Sequence, residues 1–323
     1  MSYKNKIIFS VFIIVCACFL LCAVFSGREK SRAVRFFVFN THCKVTFWGR
    51  SDETWDAALS ELLATMQSLN DCLNIYDSNS ELSRLNAAAS DEPFVCSDQL
   101  WNVLSAARKA WSDTEHAYDP SVGPLMRLWG FHAKRDTIPS QEEIDAALQK
   151  VGLGKVVFDD AAKSVKFTVG GMSLDCGGIA KGYACDIAAD IFAKHGITIF
   201  ILDLGGNLML SKSTPKWKRY FTVGIRSPFK NGEIYQSCHL KGVAVATSGN
   251  YERSRVIDGK RIGHIMDPET GRPGEFHAGV TALTPRGVDS DVFSTAVFVR
   301  GKPLADKLKK ANPLIDIIII DGQ

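Results

Sequence analysis

Hydrophobic positions divide the chain into an apolar leader and a mixed body. Ile7 to Phe25 is an uncharged apolar run, preceded by two lysines and followed by Arg28 and Lys30. A soluble fold does not begin with such a run, and about 20 apolar residues suffice to cross a bilayer. We therefore predict that residues 1–27 are a signal peptide, a lipoprotein leader or a membrane anchor. Residues 28–323 are treated as one domain.

Cysteines in the leader suggest how it is processed. Cys16, Cys18 and Cys22 lie within the run, and Val15-Cys16-Ala17-Cys18 resembles a bacterial lipobox, in which a small residue precedes the cysteine that is lipidated. An uncleaved anchor and a cleaved, released protein are the alternatives. All three interpretations place the body outside the cytoplasm. The lysines before the apolar run favour an N-terminus on the cytoplasmic side of the membrane. The expected location is the bacterial cytoplasmic membrane, with the body facing the periplasm.

Periodicities in the body predict a mixture of helices and strands. Helical spacing of apolar residues is found at 53–73, 98–113, 141–150 and 303–311. Strand-like patterns are found at 43–49, 156–160, 165–169, 197–204, 221–226, 241–249, 278–283 and 315–320. The last segment is apolar on both faces, which predicts a central strand. Because helices and strands do not alternate regularly, the predicted class is α+β, with mixed or antiparallel sheets flanked by helices.

Composition excludes several classes of protein. Hydrophobic residues make up 46% and charged residues 23%, so a disordered or fibrous chain is excluded. The net charge of +3 is too small for a nucleic-acid-binding protein. The six cysteines of the body form no CxxC motif and have no zinc-site spacing. They allow 15 disulfide connectivities, and we interpret them mainly as buried small side chains.

A glycine turn near residue 177 is the first candidate for chemistry. A strand is predicted to end at Asp175, and Gly177 and Gly178 turn the chain into a helix that stops near Gly196. Free N–H groups at the start of that helix, with Lys181 in its first turn, would suit a phosphate. The spacing matches neither a Walker A loop nor G-x-G-x-x-G. A plain strand–helix turn is the alternative interpretation.

Three further segments carry polar residues at turns or on one helix face. Asp203-Leu204-Gly205-Gly206-Asn207 is either a hairpin turn or a place where another backbone approaches closely. His264, just before an Asp-Pro-Glu-Thr-Gly turn, is a candidate general base or a structural histidine. Asp291 and Thr295 are four residues apart, so their oxygens would share a helix face and suit Mg²⁺ or Ca²⁺. A carboxylate near a helix start with a buried threonine is the alternative.

Taken together and in order, the motifs resemble those of the ApbE family, the FAD:protein FMN transferases. The matching segments are YDSNSELSRLN at 76–86, AYDPSVGPL at 117–125, WGF at 129–131, DCGGIAKGY at 175–183, DLGGN at 203–207, ATSGNYER at 246–253, HIMDPETG at 264–271 and DVFST at 291–295. The resemblance covers nearly the whole body. Cys176 stands where the family usually has leucine, and Phe39 lies where family members often have a methionine near the flavin.

The resemblance implies a role for each matching position. Tyr76 would pack on the flavin ring, and Phe39 could stack against the ligand. The rest of the FAD site would be formed by Ala117, Tyr118, Asp119, Asp175, Lys181 and Ile265. Mg²⁺ would be bound by Asp291, Thr295 and the backbone carbonyls of Gly178 and Ser294. His264 would act in phosphoryl transfer.

The activity implied by the resemblance is Mg²⁺-dependent transfer of FMN from FAD to a Ser or Thr hydroxyl, with release of AMP. The metal and Lys181 would neutralise charge that develops on the pyrophosphate. The implied acceptors are flavin-accepting subunits of membrane redox complexes of the quinone-reductase or electron-transport type. Two alternatives are an FAD pyrophosphatase, in which water is the nucleophile, and a non-catalytic FAD-binding lipoprotein. Tyr76 favours transfer, and the pair Asp291/Thr295 with His264 argues against storage.

Overall fold

A computed structural model describes residues 30–250, 254–274 and 277–322. The predicted leader, residues 1–27, lies outside this part of the chain. No helix within the described residues is both long and apolar enough to cross a bilayer.

Eight helices and fourteen strands are present in the described residues. The helices are α1 (Asp52–Leu73), α2 (Glu81–Ala88), α3 (Asp98–Asp113), α4 (Gly123–Leu128), α5 (Gln141–Leu148), α6 (Ala180–Lys194), α7 (Gly287–Arg300) and α8 (Lys302–Ala311). The strands are β1 (Ser31–Val38), β2 (Thr41–Trp48), β3 (Phe94–Val95), β4 (Val156–Asp159), β5 (Ser164–Phe167), β6 (Ile199–Leu204), β7 (Asn207–Leu210), β8 (Phe221–Arg226), β9 (Ile234–Leu240), β10 (Ala244–Ser248), β11 (Ser254–Ile257), β12 (Lys260–Gly263), β13 (His277–Thr284) and β14 (Asp316–Asp321).

The main sheet has seven strands in the order β1-β2-β6-β7-β10-β13-β14, and every neighbouring pair is antiparallel. A three-stranded sheet, β3-β5-β4, and two hairpins, β8-β9 and β11-β12, complete the strands. This architecture confirms the predicted α+β class with antiparallel sheets and flanking helices.

The two ends of the main sheet carry different loops. At the end that we call the leader end, paired strands bring together Ser31, Trp48, Ile199, Leu210 and Ala244. At the opposite end, the glycine end, the two-residue turn Gly205-Gly206 joins β6 to β7. Both glycines have positive φ, 66° and 100°, as a tight two-residue hairpin turn requires. A Cβ on Gly205 would lie 2.4 Å from Thr41 Oγ1, so the hairpin turn is confirmed, and what lies close to this glycine is a side chain and not another backbone.

The core lies between the main sheet and the helices α1, α6 and α7. Phe47 of β2 stacks on Trp55 of α1 and meets Phe192 of α6 edge-to-face, with ring centroids 6.5 and 5.1 Å apart. Because all three side chains are fully buried, they fix α1 and α6 on one face of the sheet. Helix starts are defined locally, since Ser51, Ser80, Ser97 and Ser140 each accept a backbone N–H bond at an N-cap.

Helices α6 and α7 cross at two glycines. A Cβ on Gly182 would lie 2.3 Å from the Gly287 carbonyl oxygen, and one on Gly287 would lie 2.2 Å from the Gly182 carbonyl oxygen. Asp186 of α6 also accepts the N–H groups of Gly287 and Val288, which caps the start of α7. The two helix starts are thereby held in one fixed relation.

Most predicted elements are confirmed, including α1, α3 and β8 within a residue or two. The prediction that the last strand is central is wrong, because β14 lies at an edge of the main sheet and pairs only with β13 among the described strands. A run that is apolar on both faces indicates that other parts of the protein cover both faces of the strand. It does not indicate where the strand lies in the sheet. Ile317 and Ile320 are buried, whereas Ile318 and Ile319 are only half-buried.

The strand predicted to end at Asp175 is also absent from the described elements. Instead, the Asn86 side chain acts as the neighbour of this extended segment: its Nδ2 donates to the Leu174 carbonyl at 2.9 Å, and its Oδ1 accepts from the Leu174 N–H at 2.7 Å. The Asp175 N–H donates to the Pro120 carbonyl at 2.7 Å. One amide side chain and one carbonyl thus replace the strand partner.

Candidate functional site

A buried cluster of oxygen atoms forms where α7 meets α6. Asp291 is only 6% exposed, and its Oδ2 accepts the Gly182 N–H at 2.9 Å. The hydroxyls of Ser294 and Thr295 donate to the Asp291 carbonyl at 2.9 and 3.1 Å. Ser248, at the glycine end of β10, places its Oγ 2.9 Å from Ser294 Oγ and 3.2 Å from Thr295 Oγ1. We call these four residues the oxygen cluster.

Gly178 reaches the oxygen cluster from the turn before α6. A Cβ at this position would lie 3.9 Å from Thr295 Oγ1 and 3.2 Å from Cε2 of Tyr118. The Tyr118 hydroxyl is buried and has no hydrogen-bond partner among the described residues. Burial raises the pKa of Tyr118 well above its usual value, and the negative charges of Asp175 and Asp291 add to the shift. A neutral, unsatisfied hydroxyl therefore lies in the field of two carboxylates.

The donor set fits a hard cation. No described residue donates a hydrogen bond to Asp291 Oδ1, and a buried carboxylate with an unpaired oxygen is costly unless it binds a positive charge. Within residues 30–250, 254–274 and 277–322, no group of three or more His, Cys, Asp or Glu side chains converges. Mg²⁺ is commonly held by one or two carboxylates together with substrate phosphates. The four predicted metal ligands, Gly178, Asp291, Ser294 and Thr295, therefore lie together in an arrangement that suits Mg²⁺.

Asp175 fixes the turn that carries Gly178. Its Oδ1 accepts the Gly177 N–H at 2.7 Å, and its Oδ2 lies 2.8 Å from Nε2 of His132. Both side chains of this pair are mostly buried. His132 was not among the predicted site residues, although it directly follows the WGF segment at 129–131. Its position after that motif is the signal that could have identified it.

Asp119 uses its carboxylate within the protein. Oδ1 accepts the N–H and the hydroxyl of Ser121 at 2.7 and 2.6 Å, and Oδ2 accepts the N–H groups of Trp111 Nε1 and Leu153 at 3.1 and 3.0 Å. These four bonds fold the loop that presents Tyr118. Ala117 is buried in the same loop, at 2% exposure. The predicted contact of either residue with FAD stays a prediction.

A group of aromatic side chains extends from His132, the partner of Asp175. The Tyr76 hydroxyl donates to the Phe131 carbonyl at 3.3 Å, and its ring meets the His132 ring edge-to-face with centroids 6.0 Å apart. The Phe131 ring contacts His264 in the same way, with centroids 6.3 Å apart. Residues 131–132 therefore connect Tyr76, Asp175 and His264. We call Tyr76, Phe131, His132 and His264 the aromatic wall.

The aromatic wall borders an open cavity of about 980 Å³, large enough for a nucleotide-sized ligand. Tyr76 and His132 line it together with the basic side chains Arg127, Lys134, Arg135 and Lys150. Its acidic side chain Glu143 is paired with Arg135 at 2.7 Å. The lining is therefore positive overall, which suits an anionic ligand.

His264 is positioned by the segment around it. A Cβ on the preceding Gly263 would lie 1.8 Å from Asn250 Oδ1, so a larger residue there would displace the Asn250 side chain, which donates to the Gly274 carbonyl at 2.9 Å. The neighbouring Ile265 is 5% exposed, and its carbonyl accepts the Gly274 N–H at 2.9 Å. The following turn is tied to the end of α7, because Arg300 donates to Asp267 Oδ1 at 3.0 Å. Helix α7 thus carries the oxygen cluster near its start and supports the His264 segment at its end.

Lys181 and Phe39 lie nearer the glycine end of the main sheet. Lys181 is half-buried in the first turn of α6 and makes no ion pair with a described residue. Burial raises the pKa of Cys43, in β2, to about 11, and the positive charge of Lys181 opposes this shift, so the two groups are neighbours. Phe39 forms the β1–β2 turn with Asn40, and both have positive φ, 52° and 55°. Positive φ at both central residues is what a tight two-residue hairpin turn requires.

Five of the six body cysteines are buried, and none forms a disulfide within the described residues. Burial raises the pKa of Cys72 and of Cys96 to about 12. The interpretation of these residues as buried small side chains is confirmed for all except the half-buried Cys238.

Comparisons with known proteins point to a single family. The model of the ApbE family matches residues 39–319. An FAD:protein FMN transferase from Escherichia coli (strain K12) is 30% identical over 300 residues, covering 88% of this chain and 84% of the relative. One from Treponema pallidum (strain Nichols) is 30% identical over 329 residues, covering 95% and 90%. A solved structure described as flavin transferase ApbE from Vibrio cholerae has a TM-score of 0.81 and 27% identity, covering 91% of this chain and 94% of that one.

Proposed function

The chain belongs to the ApbE family, and we propose that it is a Mg²⁺-dependent enzyme that transfers FMN from FAD to a Ser or Thr hydroxyl of an acceptor protein. The observation that carries the proposal is the buried oxygen cluster facing Gly178 and the start of α6. A non-catalytic FAD carrier has no need of a buried carboxylate with three hydroxyls beside it. Relatives named FAD:protein FMN transferases support the same activity.

The proposed reaction exchanges one phosphorus–oxygen bond for another. The acceptor hydroxyl oxygen attacks the FMN-side phosphorus of FAD, and the bond from that phosphorus to the AMP oxygen breaks. His264 takes the hydroxyl proton, and AMP leaves with the bonding electron pair. The products are AMP and a protein-bound FMN phosphodiester, so no oxidant or reductant is required.

The metal would be held by Asp291, Thr295, Ser294 and the Gly178 carbonyl. When bound, Mg²⁺ supplies charge neutralisation at the pyrophosphate. Lys181 and the N–H groups at the start of α6 add positive potential on the same side. The Asp175–His132 pair holds the turn at Gly177 so that Gly178 stays beside Thr295.

The flavin would bind along the aromatic wall. Tyr76 is 59% exposed and lines the cavity, which supports a contact between its ring and the flavin. His264 is connected to Tyr76 through Phe131, whose ring contacts His264 and whose carbonyl accepts the Tyr76 hydroxyl. Phe39, Ala117, Tyr118, Asp119, Asp175, Lys181 and Ile265 complete the proposed FAD site.

The proposed location is the bacterial cytoplasmic membrane, with the body on its outer, periplasmic side. The support is the apolar run Ile7–Phe25 with its preceding lysines. The proposed acceptors are flavin-accepting subunits of membrane redox complexes, since an enzyme held at that surface meets membrane-bound partners first.

The test uses the full chain in detergent, with FAD, Mg²⁺ and an acceptor domain. Flavin fluorescence of the acceptor on a denaturing gel and AMP release are measured together. We expect a fluorescent acceptor band and an equal amount of AMP. AMP with free FMN and an unlabelled acceptor would support the pyrophosphatase instead, and intact bound FAD would support the carrier.

A matched pair of variants locates the activity. Asp291→Asn should abolish both acceptor fluorescence and AMP release. Asp289→Asn is the control, because it removes a carboxylate of the same helix that interacts electrostatically with Arg286, Asp186, Lys109 and Asp113. Equal activity in the two variants would contradict the proposed metal site.

A further inference from the structure

A basic segment leaves the main sheet at the leader end. We call residues 211–241, between β7 and β10, the basic hairpin because they include β8 and β9. This segment contains seven lysines and arginines and a single acidic residue, Glu233, although the whole chain has a net charge of only +3. Positive charge is therefore concentrated in one tenth of the protein, and the function proposed above uses none of it.

The start of the basic hairpin presents charged and aromatic side chains together. All five residues of Lys216-Trp217-Lys218-Arg219-Tyr220 are exposed, including 46% of Trp217 and 37% of Tyr220. The Arg219 guanidinium and the Lys241 Nζ lie 5.4 and 5.8 Å from the centre of the Tyr220 ring. Exposed tryptophan and tyrosine among lysines and arginines are the residue types that populate membrane–water interfaces.

The segment is held in this orientation by its own backbone. Pro215 is buried, and its carbonyl accepts the Lys218 N–H at 2.8 Å. The Thr214 hydroxyl donates to the Lys218 carbonyl at 2.6 Å. These bonds hold the backbone of the turn from which Trp217 and Tyr220 are exposed.

The basic hairpin lies beside the point where the leader joins the body. Phe221 of β8 contacts Trp48, with ring centroids 6.0 Å apart. Trp48 pairs with Ser31 at the start of β1, and the Gly49 N–H donates to the Lys30 carbonyl at 3.0 Å. The chain that follows the apolar run thus enters the fold at the same end of the sheet as the basic hairpin.

We infer that the basic hairpin docks on the anionic lipid headgroups of the membrane that holds the leader. This inference rests on insertion of the leader and is independent of the proposed transferase activity. Lysines and arginines close to an anionic surface each strengthen binding about fivefold, and salt weakens that attraction. Docking would turn the leader end of the main sheet toward the bilayer. The glycine end, where β10 brings Ser248 to the oxygen cluster, would then face away from the bilayer.

The test reconstitutes the full chain in vesicles of phosphatidylcholine alone or mixed with phosphatidylglycerol, each also prepared with brominated lipid. Flotation first confirms that the chain is bound. The protein has six tryptophans. The fluorescence of Trp217 is therefore obtained by subtracting the fluorescence of the Trp217→Phe variant from that of the unchanged chain. We expect bromine to quench this difference signal in the anionic vesicles at low salt, and quenching to fall at high salt.

Two charge-reversal variants separate the basic hairpin from general charge. Lys216→Glu/Lys218→Glu/Arg219→Glu should lower the docking equilibrium about 100-fold or more, so that Trp217 quenching is lost while flotation persists. Lys109→Glu/Lys163→Glu/Lys166→Glu makes the same charge change on α3 and the three-stranded sheet, and should leave quenching intact. Circular dichroism confirms that both variants are folded.

Three results would overturn the inference. Quenching of equal strength in phosphatidylcholine would show apolar insertion without headgroup recognition. No quenching in floated anionic vesicles would show that the hairpin faces solvent. If the unchanged chain then binds an acidic polypeptide and the Lys216→Glu/Lys218→Glu/Arg219→Glu variant does not, the hairpin binds a protein partner instead. A full chain that does not float would remove the membrane premise, whereas AMP release measured in detergent tests the transferase separately.

Discussion

The oxygen cluster and the aromatic wall contribute to one site, yet they are built in opposite ways. In the oxygen cluster, Asp291, Ser294 and Ser248 are each less than a tenth exposed and are linked by hydrogen bonds of 3.2 Å or less. In the aromatic wall, Tyr76 is 59% exposed, and its side chain makes a 3.3 Å hydrogen bond and an edge-to-face ring contact.

This difference matches the two tasks of a phosphoryl-transfer site. Charge stabilisation is effective when the polar groups are already in place, since no reorganisation is then needed during the reaction. A wall that accepts a flavin and then an acceptor segment benefits from exposed rings that can adjust. We therefore expect substitutions in the oxygen cluster to affect the rate, and substitutions in the aromatic wall to affect binding more.

The largest expected effect follows from Asp291→Ala. Loss of the carboxylate removes the only charged ligand of the proposed metal site, so FMN transfer should fall by at least about 1,000-fold. The measurement is AMP release as a function of Mg²⁺ concentration. Excess Mg²⁺ that restores the full rate would show that Asp291 is dispensable for the chemistry.

His264→Ala should have the next largest effect. Loss of a general base typically costs about 100-fold or more, while FAD affinity, measured by fluorescence titration, should change little. His195→Ala is the matched control, because His195 pairs with Glu61 at 2.8 Å at the C-terminal end of α6. If FAD affinity falls together with the rate in His264→Ala, then His264 is a ligand-binding residue.

Tyr76→Ala should weaken FAD binding about tenfold, since ring stacking contributes about 1 kcal/mol beyond simple burial. Tyr76→Phe keeps the ring and loses only the hydrogen bond to the Phe131 carbonyl, so it should retain most of the affinity. A variant pair with equal affinities, both reduced, would assign the contribution to the hydroxyl and not to the ring.

The smallest effect concerns pH and the cap of α7. Burial raises the pKa of Asp186 above its usual value, against the hydrogen bonds from Val288 and Gly287. The folded protein therefore binds this proton more tightly than the unfolded chain, and the stabilisation is present below a pH of about 4 and is lost as pH rises through the raised pKa. Asp186→Asn should flatten that part of the stability curve.

Urea denaturation at several pH values measures this change. Asp91→Asn, at an exposed position outside α6 and α7, is the control and should leave the pH dependence unchanged. Parallel curves for Asp186→Asn and the unchanged protein would show that the carboxylate does not titrate with folding.

Sequence alone was most informative where local rules decide the structure. The ends of α3 follow from a serine cap and helical spacing, and Asp291 and Thr295 share a helix face because they are four residues apart. The order of strands in the main sheet depends on packing between distant segments, which is why β14 was wrongly expected to be central. The Asn86 side chain replaces a strand for the same reason, since no local pattern announces a partner 88 residues away.

The site shows the same division. The motifs identified all four proposed metal ligands, which the structure brings together at the start of α6 and in α7. They did not identify His132, whose role depends on Asp175 approaching from 43 residues further along the chain. Ser248 lies in the matching segment at 246–253 but was given no role, because it joins the oxygen cluster through the packing of β10 beside α7.

The crossing of α6 and α7 at Gly182 and Gly287 has a consequence for how mutational data on this protein should be interpreted. Each position would place a Cβ within 2.3 Å of the opposite carbonyl oxygen, and the N–H of Gly182 is the donor to Asp291. In a saturation scan scored by activity, both glycines should be as intolerant as residues that touch the substrate, although neither offers a functional group. The loss of activity on substitution of these two glycines reflects the short distance between two backbones. Measuring the abundance of each variant together with its activity would distinguish this packing constraint from a catalytic role.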